Sequence, residues 1–535
     1  MSHWIIAPVL LPAIIAGLLV LSMRHHLGLQ RVFSLGGAGV LVAIAMGLAA
    51  QAASGAVGVY ELGGWPAPFG IVLVLDRLSA LMVLLTTVLA VAVLLYAIGA
   101  NWDARGAHFH ALYHFQLMGI LGAFLTGDLF NLFVFFEVLL IASYGLVIHA
   151  GGARRMRAGV QYVVYNLLGS TLFLFALGTL YGVTGTLNMA DMAERVAAIP
   201  TEDTALLRVG AVLLLSVFAV KAAILPLHFW LPETYAAAPA PVAALFAIMT
   251  KVGAYAILRV DTLIFGPDVT ATAGILSGLL LFTALITLAV GMIGILGADG
   301  LGRLAAFATV GSVGTLLAGL ALFTPETTVA ALYYTIHSTL AGALLFLVVD
   351  MVRERRGAAG DALVSAPPIA AGGMIAALWF GAAIATAGMP PLSGFVGKLL
   401  ILDAVRGDDW MWLIWTVVLA SSLLAILGLA QAGSQIFWKT TEPAQVAGDA
   451  PAEAPPPLAL PAVAAFTLIG AIVGLTVFAA PVVAYLEATA GQLYDPSDYI
   501  AAVLGPEAPE IPPAPDGTGE GAPTASAAPQ DEGGA

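Results

Sequence analysis

The stretch GDLFNLFVFFEVLLIASYGLVIH, residues 127–149, is long and apolar enough to cross a bilayer as one helix. It places a carboxylate, Glu137, near its middle. A charged side chain at the centre of a bilayer costs roughly 2.5–3.5 kcal/mol, so such residues usually have a function. The stretch predicts a membrane helix with a functional acid, although a carboxylate that only joins neighbouring helices by hydrogen bonds would leave the same pattern.

The composition of the whole chain is that of a membrane protein. Of its 535 residues, 60% are hydrophobic and 10% are charged, and the mean hydropathy is +0.99. Because the chain has no cysteine, we expect no disulfide, no iron–sulfur cluster and no cofactor of its own. The first apolar run, Trp4 to Met23, is too long for the core of a signal peptide and predicts a retained span. The net charge is −13, and six of the carboxylates lie after Leu504. Because the chain is acidic, we expect no nucleic-acid partner.

Apolar runs of about 20 residues predict an all-α polytopic membrane protein with about fourteen transmembrane helices. The predicted spans are 4–23, 32–51, 73–99, 108–126, 128–149, 160–183, 207–229, 240–263, 272–297, 302–322, 328–350, 370–402, 410–437 and 460–487. The predicted inner loops carry eleven Lys and Arg residues, and the outer loops carry four, namely Arg195, Arg208, Arg259 and Arg406. Since basic residues favour the cytoplasmic side, this asymmetry predicts both termini on the outer, periplasmic side of the cell inner membrane.

Two spans, the seventh and the twelfth, are interrupted by prolines in KAAILPLHFWLPETYAAAPAP (221–241) and TAGMPPLSGFVGK (386–398). Proline removes a backbone donor and clashes with the preceding turn, so Pro226, Pro232, Pro390 and Pro391 are expected to break helices. The breaks lie five spans apart, and because five is odd the two segments cross the membrane in opposite directions. That relation predicts two inverted five-helix repeats, with broken helices 7 and 12 along a transport pathway.

The predicted organisation follows from these spans. Residues 1–107 hold spans 1–3, 108–263 the first inverted repeat (spans 4–8), 272–437 the second inverted repeat (spans 9–13), 438–490 a linker and span 14, and 491–535 a disordered acidic tail.

Among the ionisable residues inside predicted spans, five are candidates for function: Glu137, Lys221, Lys251, His337 and Lys398. If each faced lipid alone, together they would cost on the order of 10 kcal/mol, so they must be paired, hydrated or lining a cavity. Acid, amine and imidazole groups whose charge depends on a nearby partner can form a proton relay, whereas an ion pore would need a ring of like charges. A structural explanation stays open for each, because a lysine can snorkel to an interface and a single histidine often only packs.

Four further residues are possible accessory sites. Asp76 and Arg77 form a predicted adjacent pair at the start of the third span, and Asp128 lies at a helix N-terminus, where the helix dipole favours an anion. These residues have either a structural role or a role at an access gate. His228, beside Pro226, either carries protons through the broken segment or caps exposed carbonyl groups.

Three stretches, GDLFNLFVFFEVLLIASYGLVIHAG, KAAILPLHFWLPETYAAAPAPVAALFAIMTKVGAYAILR and GMPPLSGFVGK, resemble the antiporter-like membrane subunits of respiratory complex I and of Mrp-type multisubunit sodium/proton antiporters. The resemblance covers residues 1–490 and is strongest to the D subunits of the Mrp type. It implies a fourteen-helix bundle with inverted five-helix repeats. By motif, it also implies proton-relay roles for Glu137, Lys221, Lys251, His337 and Lys398.

The resemblance further implies a subunit of a secondary transporter rather than an enzyme. Such a subunit works with other membrane subunits of a hetero-oligomeric antiporter that exchanges protons for a monovalent cation, with sodium expected. One alternative is a proton-pumping subunit of complex I, an NADH-quinone oxidoreductase, or of a membrane-bound hydrogenase. A second alternative is a non-conducting membrane scaffold whose charges only hold subunits together.

Overall fold

A computed structural model describes residues 2–200, 204–266, 269, 271–272, 274–441 and 457–505 of the chain. The helices of the first half are α1 (Ala7–Leu21), α2 (Leu27–Ala52), α3 (Arg77–Gly99), α4 (Phe109–Leu125), α5 (Leu129–Val147), α6 (Ala153–Thr184), α7 (Met189–Ala197), α8 (Ala205–Ala222), α9 (Trp230–Ala237) and α10 (Ala240–Leu263). Those of the second half are α11 (Ile275–Leu296), α12 (Leu301–Leu320), α13 (Pro325–Arg353), α14 (Gly372–Ala387), α15 (Ser393–Ala404), α16 (Met411–Phe437), α17 (Ala459–Val477), α18 (Ala479–Tyr494) and α19 (Ser497–Leu504).

These helices make the chain an all-α polytopic membrane protein. Within the described residues, eleven helices are long and apolar enough to cross a membrane, and α1, α4 and α14 are shorter apolar helices. The total of fourteen spans and the inverted repeats stay predictions.

The centre of the bundle is formed by α10 and α13. All of the most apolar 18 residues of α10 are buried, and so are 89% of those of α13, compared with 28% for α2. The two helices pack against each other, and α12 packs against α13. Polar side chains on α10 and α13 are therefore shielded from lipid by the surrounding helices.

Both predicted breaks are present. α8 ends at Ala222, where Ala223 adopts a left-handed conformation (φ 57°), and the chain becomes helical again at Trp230. α14 ends at Ala387, Gly388 has a φ of 76°, and α15 begins after the two prolines. Pro232, expected to break a helix, instead lies in the first turn of α9, where its missing backbone donor has no intrahelical partner to lose.

A two-stranded hairpin replaces the predicted start of the third span. Strand β1 (Gly58–Glu61) pairs antiparallel with β2 (Val72–Leu75), with Gly58 opposite Leu75 and Glu61 opposite Val72. The backbone N–H of Gly127 also donates to the carbonyl of Val72. The third span therefore begins at Arg77 rather than at residue 73, and the hairpin marks one end of the bundle, called the hairpin end below.

The C-terminal segment also differs from its prediction. Predicted span 14, 460–487, is two helices, because α17 ends at Val477 and α18 starts at Ala479. The predicted disordered tail, 491–535, cannot begin at residue 491, which lies inside α18, and α19 follows it. Residues 506–535 and most of the predicted linker, 442–456, lie outside the described residues.

Candidate functional site

Glu137 lies on α5 and is half-buried. Its carboxylate accepts a hydrogen bond from the hydroxyl of Ser170 on α6. α5 is held at its start by Asp128, whose side chain accepts the backbone N–H of Asn131 at 2.7 Å. The expected position of Asp128 at a helix N-terminus is confirmed as that of an N-cap.

Lys221 lies in the last turn of α8, directly before the first break. Its Nζ is buried and has no hydrogen-bond partner among the described residues, and it lies 5.7 Å from the centre of the Phe136 ring. Within the described residues, no ion pair at 4.0 Å or less joins it to Glu137. A side chain added at Gly169 would be 3.9 Å from Cε of Lys221, so the lysine lies against α6 beside Ser170. Glu137 and Lys221 therefore approach the same stretch of α6 without touching.

Lys251 is buried in the middle of α10 and lines a cavity of about 20 Å³. Tyr255, one turn further along α10, and Thr335 on α13 line the same cavity. A volume of this size holds about one water molecule. The cavity therefore leaves a water-sized space between Lys251 on α10 and Thr335 on α13.

His337 on α13 faces the second break. Its Nδ1 lies 2.8 Å from Oγ of Ser393, the first residue of α15, and its ring packs against Gly394. A second cavity, of about 10 Å³, is lined by His337, Ser312 and Thr386. The imidazole is thus joined directly to the broken span.

Lys398 on α15 is anchored at the same break. Its Nζ donates to the carbonyl of Ala387, at the end of α14, and to Oγ of Ser422 on α16, both at 2.8 Å. The carbonyl of Ala387 is one that the helix end leaves without an intrahelical partner. Lys398 and His337 therefore both lie at the second break, Lys398 bonded to Ala387 and His337 to Ser393.

The predicted pairing of Asp76 with Arg77 is wrong. Asp76 caps α3 together with Ser79, and its Oδ2 lies 2.6 Å from Nη1 of Arg259. Arg77 instead donates to the carbonyl of Ala53 and stacks over the ring of Tyr485. Arg259, predicted in an outer loop, lies inside α10 and is buried. Its spacing of eight from Lys251 is the signal in the sequence that it shares a helix face with that lysine.

His228 lies in the turn between α8 and α9 and is buried. Within the described ranges its Nδ1 has no hydrogen-bond partner, and its ring lies 4.5 Å from that of Phe229. It touches none of the five predicted relay residues through a hydrogen bond.

The opposite end of the bundle carries a polar cluster that the sequence did not single out. In the loop between α3 and α4, Asp103 binds Arg31 at 2.6 Å and His110 at 3.1 Å. Burial by itself raises the pKa of Asp103, but hydrogen bonds from His110 and Arg31 outweigh it and hold that pKa below its usual value. Asp350, near the end of α13, accepts hydrogen bonds from Trp102 and Tyr96.

In the part of the chain that the structure describes, no group of three or more His, Asp or Glu side chains is placed to hold a metal ion. The site is instead a series of single ionisable residues on different helices. Hydroxyl groups of Ser170, Ser393 and Ser422 accompany three of them, and serines of this kind carry no distinguishing pattern in an apolar sequence.

The profile of one protein family, NADH:quinone oxidoreductase/Mrp antiporter, TM, matches residues 126–424. The chain belongs to this family. The matched range includes all five predicted relay residues, from Glu137 to Lys398, and it leaves out Asp76 and the C-terminal helices. The resemblance predicted from the three motifs is confirmed.

Curated relatives place the chain more closely within the NADH:quinone oxidoreductase/Mrp antiporter family. It is 37% identical to the D-type subunit of a probable K⁺/H⁺ antiporter of Rhizobium meliloti, over 94% of this chain and 98% of that one. It is also 37% identical to the D-type subunit of the Na⁺/H⁺ antiporter of Bacillus subtilis, over 94% of this chain and 100% of the relative.

Solved structures of this family share the fold. A chain of the Mrp complex from Dietzia sp. matches with a TM-score of 0.84 and 29% identity, over 94% of this chain and 99% of that one. A chain of respiratory complex I from Thermus thermophilus matches with a TM-score of 0.73 and 26% identity, over 91% and 99%.

Proposed function

We propose that this chain is a membrane subunit of a multisubunit cation/proton antiporter, and that Glu137, Lys221, Lys251, His337 and Lys398 conduct its protons. The observation that carries the proposal is the placement of buried lysines at both helix breaks, Lys221 before the first and Lys398 after the second. Between them lie Lys251 and His337, each beside a cavity of about one water molecule or less.

The chemistry at the first break depends on the separation of Glu137 and Lys221, which lie near each other without contact. A buried ammonium without a hydrogen-bond partner is costly, so Lys221 tolerates its charge only while a carboxylate is close. Glu137 and Lys221 both approach α6 at Gly169 and Ser170, so they lie near each other although they are not in contact. A small movement of either side chain would therefore decide whether Lys221 keeps or releases its proton.

Partners, cation and location complete the proposal. Curated relatives named as D-type subunits of antiporters support other membrane subunits as partners. We propose sodium as the exchanged cation, as in the name of the Bacillus relative, and the Rhizobium name makes potassium the competing result. We propose the inner membrane as the location, with both termini on the outer side. The excess of Lys and Arg in the predicted inner loops supports this orientation, and it grows because Arg259 is buried in α10 and is no longer an outer-loop residue.

The test is Glu137→Gln in the assembled complex, measured as cation-driven proton flux in inverted vesicles. The amide keeps the shape and can still accept from Ser170, but it cannot carry a proton, so exchange should be lost while assembly is unchanged. Glu61→Gln is the matched control, because Glu61 is an exposed carboxylate on β1. Wild-type flux in a well-assembled Glu137→Gln complex would remove this residue from the relay. Running the same vesicles with sodium and with potassium identifies the cation.

A further inference from the structure

Helix α10 presents three polar residues on one face, Lys251, Tyr255 and Arg259, each four positions after the last. Residues spaced by four lie above one another on a helix, and this row extends about 12 Å from the middle of α10 to the hairpin end. The proposed relay uses only Lys251. The other two residues form a continuation that leads away from His337 and toward the membrane surface.

The row is connected by direct contacts. Nε of Arg259 lies 3.4 Å from the hydroxyl of Tyr255, which itself donates to the carbonyl of Phe124 at 2.7 Å. Arg259 then binds Asp76 at 2.6 Å, and both side chains of this ion pair are at most 5% exposed. A buried ion pair holds two helices together, and removing one partner strands the charge of the other.

The cavity at Lys251 lies beneath this ion pair. Its lining includes Tyr255 on α10 and Leu78 on α3, two residues after Asp76. The same two helices, α3 and α10, therefore carry both the cavity wall and the ion pair. Opening the pair would extend the water-sized space at Lys251 toward the hairpin end.

Helix α19 covers the pair from outside. Its Tyr499 is buried, and the ring lies 5.4 Å from the guanidinium carbon of Arg259. Although it is buried, the hydroxyl of Tyr499 finds no hydrogen-bond partner in the part of the chain that the structure describes. α19 packs against β1 and α7, so it is seated on the hairpin end rather than on the lipid-facing side of the bundle.

We infer that Tyr255, Arg259 and Asp76 line a second water path, from the hairpin end to Lys251, that the Asp76–Arg259 ion pair closes and Tyr499 caps. The path gives Lys251 contact with one side of the membrane without passing through His337 and Lys398. The role of this path in transport rests on the proposed relay role of Lys251. Whether the path exists depends only on water access to the Lys251 cavity, which is tested without measuring transport.

The chain has no cysteine, so one introduced thiol is unique in this subunit. Ala331→Cys places it on α13 in the wall of the Lys251 cavity. A small, charged, membrane-impermeant methanethiosulfonate reagent is applied to right-side-out and to inverted vesicles of the complex, and labelling of this subunit is followed by its mass. Exposed thiols at Ser54→Cys, near the hairpin end, and Ala107→Cys, near the opposite end, report which face the reagent reaches.

Labelling of Ala331→Cys should be slow in the otherwise natural chain. It should become at least about tenfold faster when Asp76→Asn removes one charge of the pair, and also when Tyr499→Ala removes the cap, because either change favours local opening. The faster reaction should occur from the face that labels Ser54→Cys. Asp498→Asn, an exposed carboxylate of the same helix α19, should leave the rate unchanged.

If the labelling rate of Ala331→Cys is unchanged in both Asp76→Asn and Tyr499→Ala, the ion pair only holds α3 against α10, and the proposed path is refuted. Fast labelling from the face of Ala107→Cys would overturn it as well. Asn still caps a helix well, so Asp76→Asn should keep α3 in place. If Asp76→Asn nevertheless fails to fold, Tyr499→Ala tests the path independently, because it leaves the ion pair intact. Wild-type flux in a Lys251→Met complex, together with gated labelling of Ala331→Cys, would refute the relay role of Lys251 and leave the path standing.

Discussion

Gly394→Ala is expected to disable the site by displacing His337. Gly394 is the second residue of α15, where the broken span approaches α13. A Cβ at this position would lie 2.7 Å from Nε2 of His337, 0.7 Å inside the 3.4 Å at which ordinary contact begins. It would also press on the carbonyl of Ala385 in α14. Because the backbone of α14 prevents the new Cβ from moving away from His337, the imidazole itself has to move by roughly 0.7 Å.

The expected magnitudes follow from that displacement. Overpacking a well-filled site costs about 1–3 kcal/mol, so the melting temperature of the complex should fall by a few degrees without loss of assembly. Misplacement of a reacting group by about 1 Å can cost about a hundredfold in rate, so cation-driven proton flux should fall by at least about tenfold. Both quantities are measured on the same preparation, flux in inverted vesicles and melting in detergent.

The matched control is Gly470→Ala. Gly470 lies on α17, and no atom comes within 4 Å of a Cβ added there. Since alanine favours a helix interior by up to about 1 kcal/mol over glycine, this variant should be as stable as the natural chain or slightly more so, with unchanged flux. Normal flux in Gly394→Ala at an unchanged melting temperature would show that the position of His337 against the break is unimportant, and would refute the reasoning.

Three further outcomes are expected. Asp103→Asn should weaken the acid dependence of stability. The pKa of Asp103 is lowered in the folded protein, so the stabilisation by its carboxylate is complete above about pH 4 and is lost as the pH falls through the lowered pKa. The melting temperature of the natural protein should therefore fall more below about pH 4 than that of the variant. Glu137→Gln and Lys221→Ala together should cost less stability than the sum of the single changes, by roughly 0.5–3 kcal/mol, and strict additivity in melting would show that the two residues do not interact. If the pathway is divided among subunits, as proposed, the chain purified alone in liposomes should exchange little, and robust sodium-driven proton flux would contradict this.

The sequence predicted the broken spans because their cause is local. Proline removes a backbone donor and clashes with the preceding turn, and the structure ends α8 shortly before Pro226 and α14 shortly before Pro390. Pro232 shows the limit of that rule, since the same residue is accommodated in the first turn of a new helix. Whether a proline breaks a helix or starts one depends on the preceding turn, which the local pattern does not fix.

Partners distant in the sequence could not be predicted. Asp76, which caps α3, binds Arg259 on α10, while the neighbouring Arg77 is the obvious choice from sequence alone. The run Val72–Leu75 is wrongly predicted as the start of a helix, because four apolar residues fit a buried strand and a buried helix equally well. The pairing with β1 that decides the matter is a tertiary contact.

The two breaks, similar in sequence, treat their lysines differently, and this difference separates the roles of Lys221 and Lys398. At the second break Lys398 donates to the carbonyl of Ala387, so its ammonium is needed to satisfy a helix end. At the first break the indole of Trp230 donates to the carbonyl of Val220 at 3.0 Å, and the Nζ of Lys221 is left without a partner. A neutral amine is a weaker donor than an ammonium, so losing the charge would weaken two hydrogen bonds at Lys398 and none at Lys221. Of the two, Lys221 is therefore the lysine whose protonation can change with less disturbance of the fold, and it is the one near which Glu137 lies.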